Sequence, residues 1–75
     1  MTSEVLAANM RQAMRLLDWE VRDLFVRTFA YGNVGTEADV GEHLRSANHL
    51  SPAQSAVVGA ALNDALADIG SSLRV

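Results

Sequence analysis

Residues 14 to 25 read MRLLDWEVRDLF, and this stretch distinguishes two architectures for the first part of the chain. Residues 4 to 31 contain no proline or glycine, and their apolar side chains recur at the three- and four-residue spacing of a helix. The phase of this pattern continues through Asp18 and favours one long helix over about residues 4 to 31. Alternatively, Asp18 caps a new helix that begins at Trp19, and the segment forms two shorter helices.

The N-terminal segment is apolar on two sides. The first stripe comprises Leu6, Met10, Ala13, Leu17, Val21, Leu24, Thr28 and Tyr31, widened by Met14 and Phe25. The second stripe comprises Val5, Ala8, Gln12, Leu16, Trp19, Asp23, Val26 and Ala30. A single helix of about 28 residues would be roughly 42 Å long, more than a three-helix domain of this size can cover. We therefore predict that the second stripe needs a partner.

The predicted partner-binding residues are Leu16, Trp19, Val26 and Ala30. Trp19 is the most informative of them, because large aromatic side chains are enriched at binding hot spots. If the segment is broken at Asp18, Trp19 is instead a partly buried core residue of a four-helix monomer. The sequence leaves both interpretations open.

The last predicted helix covers about residues 52 to 69 and has a well-defined start. Ser51 can cap it, Pro52 occupies the first helical position, and Gln54 can reach back to the Ser51 amide. Gly70 supplies the stop at the other end.

A shorter helix is predicted over about residues 37 to 47. Thr36 and Asp39 form its capping pair, and Asn48 ends it. The stretch GNVG at residues 32 to 35 indicates a turn before it. The 75 residues are therefore predicted to form a single all-α domain of three or four helices.

The last helix separates its side chains by size. The large ones share one face, which we predict to be core: Val58, Leu62, Leu66 and Ile69. Small ones occupy the other side and form a second candidate contact surface: Ala53, Ala56, Ala60 and Ala67. A glycine inside a helix costs about 1 kcal/mol relative to alanine, so Gly59 indicates a close approach, for which Gly41 is the expected partner.

Composition indicates a small folded domain that self-associates. Apolar residues make up 49% of the chain and charged residues 20%, which excludes disorder. The chain has no cysteine, hence no disulfide, and we expect a cytoplasmic protein. So short a chain has a thin stability margin, and association into a homodimer would widen it. All six basic residues are arginine, a bias typical of GC-rich, bacterial-type coding. No apolar run approaches the ~20 residues of a membrane span.

The residues that could carry chemistry do not form a recognisable site. Asp39 and His43, four residues apart, supply at most half a metal site, and surface exposure is the expected state of His43 and His49. The serines show no paired base, and no phosphate-binding glycine motif is present. We therefore expect no catalysis, metal, cofactor or small-molecule substrate.

Residues 36 to 62 resemble a helix-turn-helix DNA-binding unit, with TEADVGEHL as its first helix. This resemblance implies a small DNA-binding transcriptional regulator. The link SANHLSP is longer than the tight turn of that unit, and the second helix offers only Gln54 near its start as a base-reading side chain. The arginines Arg11, Arg15 and Arg22 share one side of the first helix and could contact phosphate.

Charge disfavours a nucleic-acid partner. The net charge is −3, and residues 36 to 75 contain five acids and two arginines, whereas DNA-binding domains usually carry a basic surface. The sequence therefore predicts a small non-enzymatic regulator, inhibitor or adaptor that acts by protein–protein binding. The helix-turn-helix-like DNA-binding regulator is the alternative.

Overall fold

A computed structural model of the chain describes residues 2 to 75. Helix α1 spans Ser3–Leu17, α2 spans Val21–Thr28, α3 spans Glu37–Ser46 and α4 spans Pro52–Asp68. No strand occurs within these described residues. The all-α prediction is confirmed, with four helices. None of the helices between residues 2 and 75 has the length and apolarity to span a membrane.

The single long helix favoured over residues 4 to 31 is wrong, because α1 ends at Leu17 and the helix is interrupted at Asp18. Asp18 adopts the left-handed conformation with φ 55°, and its N–H donates to the Arg15 carbonyl at 3.2 Å. The Trp19 N–H donates to the Met14 carbonyl at 3.0 Å. These two bonds form the Schellman motif that commonly ends a helix. A helix of roughly 42 Å would also exceed the longest dimension of the molecule, 28 Å.

Helix α2 begins two residues later than the broken-helix interpretation predicts. Glu20 is its N-cap, and the Glu20 N–H donates to a carboxylate oxygen of Asp23 at 2.8 Å. The helix ends at Thr28, whose hydroxyl donates to the Phe25 carbonyl at 2.6 Å. A threonine hydroxyl that bonds back to the preceding turn competes with the backbone ladder. Residues 29 to 31 are not helical, so the helix ends three residues earlier than predicted.

Helix α3 begins at the predicted cap. The Asp39 N–H donates to the Thr36 hydroxyl at 3.2 Å, and the Thr36 N–H donates to an Asp39 carboxylate oxygen at 3.0 Å. The helix ends at Ser46, and Ala47 takes the left-handed conformation with φ 54°, so the stop lies before the expected Asn48.

Helix α4 has the reciprocal cap expected from S-P-x-Q. The Gln54 N–H donates to the Ser51 hydroxyl at 3.2 Å, and the Ser51 N–H donates to the Gln54 side chain at 3.1 Å. At the other end Gly70 has φ 75°, and the Ser71 N–H donates to the Leu66 carbonyl at 3.0 Å. Only glycine adopts this φ without steric cost, so Gly70 is the stop.

Helices α3 and α4 each pack against both α1 and α2. The first stripe faces this core: Met10, Ala13, Leu24 and Thr28 are fully buried, whereas Tyr31 is exposed. From α4, Val58, Leu62 and Leu66 are buried as predicted, but Ile69 is 55% exposed. Ile69 is the C-cap of α4, and the helical periodicity that placed it in the core ends there.

The two mid-helix glycines do not meet. A Cβ on Gly41 would lie 3.8 Å from Val21 of α2, and one on Gly59 would lie 3.9 Å from the Val75 carbonyl oxygen. The predicted contact between Gly41 and Gly59 is therefore wrong. Both distances are ordinary van der Waals contacts, so the packing within the chain has room for alanine at either position.

Candidate functional site

The break at Asp18 divides the predicted partner-binding residues between two helices and a linker. Leu16 at the end of α1 is 49% exposed, Val26 in α2 is 54% exposed, and Ala30 is exposed. Trp19 is half-buried in the linker and packs against the core. Trp19 and Ala30 line one groove together, which Leu16 and Val26 do not line.

Trp19 is half-buried, as the four-helix interpretation predicts, and its role in partner binding stays a prediction. One part of its side chain packs against the core, while the guanidinium carbon of Arg27 lies 5.2 Å from its ring centroid. This is cation–π distance and tethers α2 to the linker. The indole also lines two grooves, one between α1 and α3 and one between α2 and α4. Trp19 therefore packs against the core with one part of its side chain, and another part of the indole is accessible in the two grooves.

The larger of these two grooves, here named the α1–α3 groove, has a volume of about 450 Å³. Its lining consists of Arg11, Met14, Trp19, Glu20, Val21, Gly41, Leu44 and Arg45. Met14 and Leu44 belong to the core, and Val21 packs against it. Because Gly41 has no side chain, α3 leaves space in this groove. The groove offers an apolar surface with charged residues at its edge.

The arginines predicted to share one side of a long helix have separate roles. A guanidinium nitrogen of Arg11 donates to the carbonyls of Leu44 at 2.9 Å and Arg45 at 3.2 Å. These carbonyls lie in the last turn of α3, where the helix dipole favours a cation. Arg22, on α2, forms an exposed ion pair with Glu37 at 3.1 Å.

Of the two remaining features of the DNA-binding alternative, Gln54 makes a side-chain hydrogen bond within the described part of the chain and Arg15 does not. Arg15 is exposed and makes no side-chain hydrogen bond to any residue from 2 to 75, so it is the one member of the predicted arginine set without such a contact there. Gln54, the expected base-reading amide, belongs to the α4 cap. The structure therefore does not assemble the predicted arginines and Gln54 into one basic surface.

The smaller groove, here named the α2–α4 groove, has a volume of about 130 Å³. Its lining consists of Trp19, Arg27, Ala30, Tyr31, Ala61, Asp64, Ala65 and Asp68. The Tyr31 hydroxyl donates a hydrogen bond to the Asp64 carboxylate, which raises the pKa of Tyr31. The contact links the end of the α2 region to α4 across the groove.

His43 is a buried structural residue, so the expectation of a surface histidine is wrong for it. The side chain is 1% exposed. Its Nδ1 accepts hydrogen bonds from the N–H groups of His49 at 3.3 Å and Leu50 at 3.1 Å, and its Nε2 lies 2.9 Å from the Ser55 hydroxyl. Burial, followed by the nearby His49, lowers the pKa of His43. The neutral imidazole thus connects α3, the following loop and α4.

The His43–Ser55 contact resembles a base and a nucleophile in distance but has the wrong tautomer. Because Nδ1 accepts two N–H groups, the single proton of the neutral ring lies on Nε2 and is donated to Ser55. A general base must accept the hydroxyl proton at that nitrogen instead. The sequence did not predict this pair, because no local motif links residues 43 and 55, and its geometry is that of a structural bond.

Asp39 pairs with His49 rather than with His43. The His49 Nε2 lies 2.9 Å from an Asp39 carboxylate oxygen. This hydrogen bond, followed by those from Thr36, lowers the pKa of Asp39 to about 2. In the part of the chain that the structure describes, no group of three or more His, Cys, Asp or Glu side chains is arranged to hold a metal ion.

A third groove lies between α1 and α4 and has a volume of about 460 Å³. Its lining, which defines the α1–α4 groove, consists of Leu6, Met10, Pro52, Ser55, Ala56, Gly59, Ala60, Asn63 and Val75. Part of the predicted alanine surface of α4 therefore forms one wall. The 71–75 segment reaches this groove through Val75, a contact that sequence reasoning missed. The alternation of Leu73, Arg74 and Val75 is the signal that could have indicated an extended segment packed on one side.

Comparisons of the chain with protein-family models, with curated proteins and with solved structures found no match.

Proposed function

We propose that this chain is a small non-enzymatic regulator, inhibitor or adaptor that binds a helix of another protein in the α1–α3 groove. The observation that carries the proposal is the position of Trp19 beside an apolar groove of about 450 Å³. Amphipathic helices commonly bind in apolar grooves of this kind, and tryptophan is enriched among the residues that dominate binding energy.

Gly41 supports an external occupant for this groove. A glycine inside a helix costs about 1 kcal/mol relative to alanine. Packing within the chain does not require a glycine at position 41, since an added Cβ would make only an ordinary contact with Val21 at 3.8 Å. A partner side chain that enters the groove at Gly41 gives a reason for the missing side chain.

The charged residues at the groove suggest the chemistry of the partner. Arg11 and Arg45 line the groove with one acid, Glu20. Arg45 also forms an exposed ion pair with Glu42. A helix that carries carboxylates beside its apolar anchor would complement this edge, and such complementarity mainly favours orientation and association rate. The exposed residues Leu16, Val26 and Ala30 do not line this groove and stay predicted contacts of the partner. The partner is a second protein or a second copy of the chain, in the cytoplasm, where a cysteine-free domain needs no oxidising environment.

The experiment is affinity capture from the native host with three variants of the full chain. Trp19→Ala removes the anchor, and Gly41→Leu fills the groove. Ala38→Leu adds the same side chain to an exposed position of the same helix and serves as the matched control. We expect the wild type and Ala38→Leu to capture the same protein, identified by mass spectrometry, and the other two variants to lose it while circular dichroism shows an unchanged helix content.

Capture of that protein by all three variants would overturn the proposal. Salt-sensitive binding of the wild type to duplex DNA would instead support the helix-turn-helix-like alternative. Light scattering on the same samples distinguishes a second copy from a different protein.

A further inference from the structure

The 71–75 segment packs on the helices with the alternating burial of an extended peptide. It begins after the left-handed Gly70, and its residues alternate between half-buried and exposed. Leu73 and Val75 pack against the core, whereas Ser72 and Arg74 are exposed. This period of two is the side-chain pattern of an extended strand.

Asn63 of α4 binds the backbone of this segment through both ends of its amide group. The Asn63 Nδ2 donates to the Val75 carbonyl at 3.1 Å, and the Val75 N–H donates to the Asn63 Oδ1 at 2.8 Å. A side-chain amide that donates and accepts in this way pairs with one residue of an extended backbone. The contact recognises backbone conformation rather than the identity of the side chain.

The α1–α4 groove is open beyond Val75, the residue through which the 71–75 segment contacts it. It continues along α4 past Gly59 and Ala56 to Pro52, with Leu6 and Met10 of α1 on the other side. Gly59 lies next to the Val75 carbonyl: a Cβ added to Gly59 would be 3.9 Å from the Val75 carbonyl oxygen. Small residues on α4 therefore leave space for backbone to approach the helix.

We propose that the α1–α4 groove, together with the adjoining surface that the 71–75 segment covers, is a binding site for an extended peptide segment of a partner protein with apolar residues at alternate positions. The 71–75 segment is an intramolecular ligand of this site, and the partner segment replaces it. The occupant is inferred from the one already in place: an extended backbone that pairs with Asn63, and apolar side chains in the positions of Leu73 and Val75. This site is separate from the α1–α3 groove and does not depend on the function proposed for it.

Replacement has a consequence that a purely structural segment would not show. If an intramolecular ligand occupies a site, the apparent affinity for an external ligand is reduced by the fraction of molecules in which the site is open. Weakening the 71–75 segment without altering the groove must therefore strengthen binding of an external peptide. Asn63 also holds the intramolecular segment, so a change at Asn63 must weaken binding of the external peptide only once the segment has already been weakened.

The experiment measures fluorescence anisotropy of a labelled peptide, Gly-Ser-Ser-Leu-Arg-Val with an amidated end, titrated with the full chain. Leu73→Ser weakens the apolar contact of the intramolecular segment and is expected to bind the peptide about tenfold more tightly than the wild type does. Val75→Ala should give a smaller increase in the same direction. Ile69→Ser changes an exposed apolar residue that does not line the groove and should leave the affinity unchanged.

Adding Asn63→Ala to Leu73→Ser should abolish the increase in affinity for the peptide. A peptide that places Leu and Val at adjacent positions should bind weakly. The proposal is overturned if Leu73→Ser and Val75→Ala, both shown by circular dichroism to be folded, bind the peptide no better than the wild type. It is equally overturned if Asn63→Ala, added to Leu73→Ser, has no effect on the affinity for the peptide.

Discussion

Asp18 ends α1 through its own backbone conformation. Its φ of 55° lies in the left-handed region, which costs L-residues with a side chain roughly 1–2 kcal/mol and costs glycine almost nothing. Aspartate tolerates the region better than most residues but places a negative charge at the C-terminal end of α1, where the helix dipole disfavours it.

Replacing Asp18 by glycine is therefore expected to stabilise the protein, by about 1 kcal/mol. Asp18→Ala removes the same carboxylate but retains a Cβ, and we expect it to be less stable than Asp18→Gly by about 1 kcal/mol. Urea unfolding followed by circular dichroism measures both free energies of unfolding. Equal stabilities of the two variants would show that the left-handed conformation of residue 18 is not what limits stability there.

His43 makes stability depend on pH, because its neutral form is the one that the fold uses. Its Nδ1 accepts two backbone N–H groups, so protonation there would place three donors together. Burial and His49 lower its pKa from 6.5. In the unfolded chain the ring takes up a proton near its usual pKa, so the stabilisation is complete above about pH 6.5 and is lost as the pH falls below that value.

We expect the free energy of unfolding to decrease by up to about 1.4 kcal/mol per pH unit between the usual and the lowered pKa of His43. Urea titrations at pH 7.5, 6.5 and 5.5 measure this slope. His49→Gln should retain a slope from His43, whereas His43→Gln should lose it at the cost of lower stability at neutral pH. A wild-type slope that persists unchanged in His43→Gln would contradict this assignment.

At the scale of the helices, Arg11 joins α1 to the end of α3. Its guanidinium donates to two carbonyls in the last turn of α3, at 2.9 and 3.2 Å. Hydrogen bonds from a charged donor contribute more than neutral ones, and the helix dipole adds to them. Arg15 lies one turn further along α1 and is exposed, which makes it a matched control.

Arg11→Ala is expected to lower the free energy of unfolding by about 1–2 kcal/mol, and Arg15→Ala to change it by less than about 0.5 kcal/mol. Chemical denaturation of the two variants at the same salt concentration measures the difference. If both substitutions prove equally neutral, the Arg11 contact contributes nothing to the packing of α1 on α3.

Gly41 and Gly35, in and just before α3, differ in the contacts that an added Cβ would make. At Gly41, inside α3, a Cβ would make an ordinary contact with Val21. At Gly35, before the cap, φ is +86° and a Cβ would lie 2.5 Å from a carboxylate oxygen of Asp39. Asp39 is also the residue that accepts the Thr36 N–H in the cap of α3.

Gly41→Ala is therefore expected to stabilise the protein by up to about 1 kcal/mol, because it raises helix propensity without a clash. Gly35→Ala should destabilise it by more than about 1 kcal/mol, because the left-handed backbone is strained and the cap is displaced. Thermal unfolding distinguishes the two signs. A destabilised Gly41→Ala would mean that α3 approaches α2 more closely than the 3.8 Å contact indicates.

At the scale of the whole molecule, the four helices leave several large apolar side chains in solvent. Val26 is 54% and Phe29 65% exposed, three residues apart at the end of α2, and Leu16 and Ile69 are exposed as well. Neighbouring exposed apolar residues of this kind are typical of interaction surfaces. They support the expectation that the chain associates with itself or with a partner.

If α2 contributes to self-association, light scattering should give a mass that rises above the 8.1 kDa of one chain as concentration increases. Val26→Glu should shift association to at least about tenfold higher concentration, because it places a charge in an apolar interface. Ser72→Glu, at an exposed polar position, is the control. A constant mass of one chain up to millimolar concentration would exclude the homodimer.

The helix ends show what local sequence determines. The caps at Thr36 and Ser51 formed as predicted because each one requires only residues within three positions of it. Buried Val58, Leu62 and Leu66 likewise followed from periodicity within one helix. Local hydrogen bonds and local periodicity are properties of the sequence itself, so the all-α class and most of α3 and α4 could be predicted.

The packing of α1 and α2 on one core, the burial of His43 and the docking of the 71–75 segment were decided by tertiary structure. Each depends on groups distant in the chain: α1 and α2 both pack on α3 and α4, His43 contacts a later loop and Ser55, and Val75 pairs with Asn63. Helical phase alone cannot show where a helix is interrupted, since a continuous stripe of apolar residues can face one core from one helix or from two. The site is therefore the part that sequence predicted least, because grooves form between elements rather than within them.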